Sequence, residues 1–162
     1  MSKDSARIEL NGAVDEAQAA IGLARAHLLV SRPGTEANDV LLGVERDLWV
    51  LMAEVATAPR NRGKLVAGAS LVTAAMVDAL EQRVHALEAS GAVPSEFVLP
   101  GGDLPSAALD VARTVVRRAE RLAVRAKVAE DSLVVPYLNR LSDLLWLLAR
   151  AAEAHAVTAR GT

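Results

Sequence analysis

The chain has 162 residues, enough for one domain with a real core; 52% of them are hydrophobic and only 2% aromatic. Such a core must be built from Ala, Leu and Val, which suits closely approaching helices better than packed sheets. The absence of cysteine excludes disulfides, thiolate zinc sites and cysteine nucleophiles, and a net charge of −2 argues against a broadly basic nucleic-acid surface.

Five helical segments are expected in chain order, with no convincing strand, giving an all-α, five-helix bundle over residues 1–162. The first runs from about Lys3 to Val30 and is ended by Arg32-Pro33-Gly34. It carries a polar stripe of Asn11, Asp15 and Gln18 that continues to Gly22, where close contact with another helix would compensate the helix-weakening glycine. The second covers about Glu36 to Thr57, and a basic loop, Pro59 to Lys64, follows it. The third spans about Ser70 to Ala89, with Ser70 as candidate cap and Val77, Leu80, Val84 and Leu87 as its apolar stripe.

Between Ala92 and Pro105 lies a Pro/Gly-rich loop interrupted by Phe97-Val98-Leu99. A solvated linker seldom holds three large hydrophobes, so this insert either packs on the bundle or lines a ligand cavity, packing being the default. The fourth helix starts near Ser106, and the fifth runs from Leu133 or Pro136 to about Val157, with a fraying tail over His155–Thr162. On the fifth, Asn139, Asp143, Trp146 and Arg150 share a sector opposite Leu141, Leu144, Leu145 and Leu148.

The fourth helix is the most informative. Five arginines fall between Arg113 and Arg125, with only Asp110 and Glu120 nearby, so the chain's positive charge is local. At the helical period, Asp110, Arg113, Arg117, Glu120 and Arg121 share one side, with Val111, Val115, Ala119, Leu122 and Ala126 opposite. Arginines one turn apart repel, and either a polyphosphate or a partner helix's carboxylate would supply the counter-charge. A plain surface or inter-subunit salt-bridge ladder is the alternative. His27, His85 and His155 stand too far apart for a buried metal centre, and no Ser/His/Asp arrangement is present. Met1–Arg7 is charged with no apolar leader core after it, and no apolar run is long enough to span a bilayer. A soluble, cytoplasmic protein is expected, with neither membrane nor nucleic acid as partner.

Three segments appear in a specific order: Phe97-Val98-Leu99-Pro100-Gly101-Gly102, then Val111 through Arg121 (VARTVVRRAER), then Tyr137 through Asp143 (YLNRLSD). With Asp15-Glu16, Ala20-Ile21-Gly22 and Asp47-Leu48 upstream, nearly the whole chain resembles the PduO-type ATP:cob(I)alamin adenosyltransferases. The resemblance implies a homotrimer with active sites between subunits. It implies transfer of the 5′-deoxyadenosyl group of ATP to the cobalt of reduced cobalamin, with magnesium, and with a corrinoid reductase or cobalamin-dependent enzyme as candidate partner. It further implies that Arg117, Arg118, Glu120, Arg121 and Asn139 bind ATP and that Arg113 pairs with Asp15 across the interface. Phe97 would press on the lower corrin face, and Lys3 sits where the family has a phosphate-contacting lysine.

The chain departs from the pattern in three places. The family's phosphate-wrapping T-G-D-x-G-T segment is not found in it, Asp110 stands where histidine is usual, and Met52 where glycine is common. The first departure implies that ATP binding is weakened or removed. A catalytically impaired corrinoid- or nucleotide-binding homologue is therefore one alternative, and a structural helical oligomer another.

Overall fold

The computed structural model describes residues 5–159, so Lys3 lies outside the described residues. Helix α1 (Ala6–Ser31) begins where the Ser5 side chain accepts from the Ile8 N–H, and it ends before a turn in which Gly34 takes a φ of 73°. Helix α2 (Glu36–Ala56) runs next, and its last carbonyls are met by Arg7 of α1. That guanidinium donates to the Val55 carbonyl at 2.6 Å and to the Thr57 carbonyl, placing a cation at the negative end of the helix. The basic loop forms a 3-10 turn, Pro59–Lys64.

Helix α3 (Ala74–Ala89) is capped by Thr73 rather than Ser70. Ser70 is already engaged, its hydroxyl accepting from the Val66 N–H at 2.9 Å in the preceding turn, so the helix starts later than expected. Helix α4 (Leu104–Arg125) opens on a capping box: Ser106 N–H donates to the Asp103 carboxylate at 2.8 Å, and Asp103 N–H to the Ser106 hydroxyl at 3.2 Å.

Helix α5 (Val134–Ala152) stops short of Val157, and the following residues do not simply fray. Strand β1 (Val98–Leu99) pairs antiparallel with β2 (Val157–Thr158), Val98 opposite Thr158. This ribbon corrects the expectation of a chain without strands. Two-residue strands carry no alternation for a sequence pattern to reveal.

The five α-helices lie against one another in the order α2, α1, α4, α5, α3, which places α4 between α1 and α5. The core is aliphatic, as the composition requires: α1 contributes Leu10, Ala13, Val14, Ala17, Ile21, Ala24 and Leu28, and α4 contributes Leu109, Ala112, Val116, Ala119 and Ala123. Removing this apolar surface from water, at about 25 cal/mol per Å², is the main force holding the helices together. Tyr137 is the largest fully buried side chain, and its hydroxyl donates to Asp47 at 2.9 Å, tying α5 to α2.

The same burial removes water from that pair. It raises the Tyr137 phenol well above its ordinary range and raises the Asp47 carboxyl, the phenol's hydrogen bond offsetting part of the latter. At the end of α2, buried Glu54 accepts from Arg62 at 2.9 Å, from the Val72 N–H at 2.8 Å and from the Ser132 hydroxyl at 2.6 Å. Three donors satisfy a charge that would otherwise be expensive to bury, and they join three loops at one point.

Gly22 behaves as its stripe suggested. A Cβ there would come within 3.0 Å of the Glu45 carboxylate on α2, which itself pairs with Arg25 at 3.2 Å.

Candidate active site

The core-facing side of α4 is turned from the one expected. Ala119 is buried, but Val115, Leu122 and Ala126 are only half-buried, and Val111 is 56% exposed. Alanines lie on both sides of this helix, so its apolar stripe has no sharp centre in the sequence. Asp110 is buried although Arg117 and Arg121, on the same side of the helix, are exposed: at its level Arg150 of α5 meets it at 2.6 Å.

The five arginines then divide by direction. Arg118 and Arg125 lean toward α1, pairing with Glu16 and, at 3.1 Å, with Glu9. Arg113 bonds back to Asp110 at 3.3 Å, the other oxygen of that carboxylate holding Arg150. Arg117 and Arg121 are exposed and make no ion pair among the described residues. With Glu120, Val124 and Asn139 they line an open hollow of about 390 Å³ between α4 and α5. Within it, the Asn139 amide donates to Glu120 at 2.9 Å, which fixes the carboxamide and leaves its oxygen available to accept.

The structure thus brings together Arg117, Glu120, Arg121 and Asn139, while Arg118 turns to the side. Asp15 is exposed on α1 and Arg113 is paired with Asp110, so the two are not joined within one chain.

Phe97, the chain's only phenylalanine, is 77% exposed, although Val98 beside it is buried. Packing on the bundle therefore holds for the middle of the apolar insert and fails for the ring. Phe97 lines a separate hollow of about 250 Å³ with Ser95, Glu96 and Ala159. It precedes α4, whereas Arg117 lies well along that helix, roughly 20 Å of helical rise beyond Leu104.

A buried ion cluster, absent from the sequence-based expectations, links these elements. Arg150 pairs with Asp110 and, at 3.3 Å, with Glu153, all three side chains nearly inaccessible. The helical period groups Arg150 with the polar sector of α5, but its side chain is only 4% exposed. Its proximity to the end of a leucine-rich helix was the one available signal.

Two unpaired guanidinium groups beside an oriented carboxamide suit a polyphosphate. An exposed phenyl ring on a pinned loop suits a flat apolar ligand.

Comparison with known proteins bears on both. The sequence model of the family described as cobalamin adenosyltransferase matches residues 1–152. The chain belongs to the cobalamin adenosyltransferase family.

Among its relatives, a corrinoid adenosyltransferase of Mycobacterium tuberculosis (strain CDC 1551 / Oshkosh) is 42% identical over 161 residues, covering 94% of this chain and 79% of that protein. One from Bacillus subtilis (strain 168) is 35% identical, covering 95% and 78%. A variant PduO-type ATP:corrinoid adenosyltransferase from Lactobacillus reuteri, complexed with cobalamin and ATP, superposes with a TM-score of 0.83 at 26% identity, covering 99% of this chain and 90% of that one. As a cobalamin adenosyltransferase, this chain has α4 and the preceding loop within the region shared with a protein that holds both molecules.

Proposed function

We propose that this protein transfers the 5′-deoxyadenosyl group of ATP to the cobalt of a reduced corrinoid such as cobalamin. The observation that carries this is the pair of unpaired guanidiniums, Arg117 and Arg121, beside the Asn139–Glu120 bond in a cobalamin adenosyltransferase fold. In this reaction reduced cobalt supplies the electron pair, a cobalt–carbon bond forms, and the C5′–O bond breaks as triphosphate leaves. The protein needs no nucleophile of its own. Its task is to hold the two substrates in line and to stabilise charge on the departing triphosphate.

Arg117 and Arg121 supply that stabilisation, with Asn139 and Glu120 orienting the nucleotide. Arg118 joins them by leaving Glu16. Lys3, outside the described residues, is a further candidate phosphate contact by family resemblance. Phe97 covers the lower corrin face. Among the described residues no cluster of carboxylates and imidazoles could hold a metal ion, and the hollow offers a single carboxylate, Glu120. Magnesium therefore fits as an ion carried by the phosphate oxygens, to which this chain adds little.

The working unit in this reading is a homotrimer. The pairs Arg118–Glu16 and Arg125–Glu9 set an antiparallel register between α4 and α1. Two turns further along that register Leu23 comes level with Val111, and two more bring Val30 level with Leu104. All four are exposed on the single chain. This apolar strip supports association, and in the trimer the resemblance implies, Arg113 of a neighbour would pair with Asp15. No helix among the described residues is long and apolar enough to cross a membrane. We place the reaction in the cytoplasm, where ATP and a corrinoid reductase would meet it.

The test is to mix the purified protein with ATP, magnesium and chemically reduced cobalamin. Adenosylcobalamin should appear in the absorption spectrum, with triphosphate released in equal amount. A protein that shifts the corrinoid spectrum but forms no product is a binding homologue. No shift and no product would overturn the proposal altogether.

A further inference from the structure

The residues after α5 are attached to the Phe97 loop at several points. Ala159 N–H donates to the Phe97 carbonyl at 2.8 Å, and β2 pairs with the two residues that follow Phe97. Further back, Ala154 N–H donates to the Asp103 carboxylate at 3.0 Å. Gly102 lies directly beneath the segment: a Cβ there would meet the His155 carbonyl oxygen at 2.5 Å and the Glu153 side chain at 2.7 Å. The root of the segment is anchored as well, since Glu153 is buried against Arg150, itself held by Asp110.

A ribbon of two-residue strands is too short to be stable alone. Here it is held at both ends, and the result is a fixed backbone at Phe97 beneath a ring that remains exposed. A side chain that must press on a ligand needs such support, because a group out of place by about 1 Å loses much of its effect. Ala159 also lines the hollow beside Phe97, so the segment bounds the space the ring faces.

We propose that Glu153–Ala159 is a strap that positions Phe97 against the corrinoid, with the Ala159 amide and the side-chain-free face of Gly102 as its two positioning points. The inference rests on the adenosyltransferase reading and adds to it residues outside the hollow lined by Arg117 and Arg121.

Two substitutions attack the strap from opposite sides. Ala159→Pro removes the donor to Phe97, and Gly102→Ala forces the strap off the loop. Both lie outside the helical core, so the far-ultraviolet circular dichroism of the bundle should be retained. Each variant should raise the KM for reduced cobalamin by roughly tenfold or more, leave the KM for ATP unchanged, and diminish the spectral change of bound cob(II)alamin. If either folded variant keeps the wild-type corrinoid KM and spectrum, the strap has no positioning role. A wild-type protein that neither binds cobalamin nor forms product overturns the function reading first, and the strap with it.

Discussion

Asp110 of α4 and Arg150 of α5 meet at 2.6 Å with side chains only 5% and 4% exposed, inside a bundle whose core is mainly aliphatic. The second Asp110 oxygen reaches Arg113 at 3.3 Å, so one carboxylate joins the buried cluster to the outer arginines. Asp110→Ala would leave Arg150 buried with Glu153 as its remaining anion. The loss expected for breaking a buried pair is about 3 kcal/mol. Urea denaturation of the variant should show it as a lower midpoint with an unchanged slope, and a loss below about 1 kcal/mol would mean that Glu153 alone suffices.

Arg117 makes no ion pair among the described residues and is exposed, so the fold does not depend on it. Arg117→Ala should leave stability within about 0.5 kcal/mol. Adenosyl transfer should fall by about 100-fold or more if this guanidinium stabilises the departing triphosphate. A thermal melt and a turnover assay on one preparation decide the matter. Unchanged turnover would remove Arg117 from the site.

The Asp103 carboxylate serves both the start of α4 and the strap. Burial alone would raise its pKa, but hydrogen bonds from Ser106 and the Ala154 N–H, with the Arg32 charge, outweigh this and hold it below the usual carboxylate range. A lowered native pKa adds stability above the unfolded value, near pH 4, that disappears as pH falls through the native one. Asp103→Asn, a neutral isostere, should therefore be less stable than wild type at pH 7, with the gap closing toward pH 3. A gap that stays constant over this range would show that charge on Asp103 contributes nothing.

The apolar strip on α1 and α4 offers a direct test of assembly. Leu23→Glu places a carboxylate where a neighbouring protomer would dock, while disturbing no buried contact of the single chain. Sedimentation equilibrium should give a trimer mass for wild type and a monomer for the variant, with helical content retained. A wild-type monomer, or a variant that still assembles, would rule out this face as the interface.

The parts of this fold that could be read in the sequence were those with local causes. The turn at Pro33-Gly34 and the break before Val134 bounded helices within a few residues because proline, glycine and polar caps act on the chain beside them. Ser70 was the wrong cap because its hydroxyl is committed to Val66, a matter of turn geometry that residue type does not reveal. The burial of Asp110 was hidden for a different reason. It shares a helix side with Arg117 and Arg121, which are exposed, and only the contact with Arg150 of α5, distant in sequence, covers it. The pairing of Val98 with Thr158 is long-range and has no periodic trace. The grouping of Arg117, Glu120, Arg121 and Asn139 was legible because three of them share a helix face and the fourth belongs to a recognisable motif.

Alanine leaves α1 and α4 little slack. Ala13, Ala17 and Ala24 on one helix, and Ala112, Ala119 and Ala123 on the other, are buried with scarcely any side chain to fold aside. Enlarging any of them would wedge its helix away from the bundle, and Arg117 and Arg121 would move with α4 relative to Asn139 on α5. Changes in substrate preference are therefore open to this scaffold only through its outer faces and loops, with the interior acting as a fixed ruler between them.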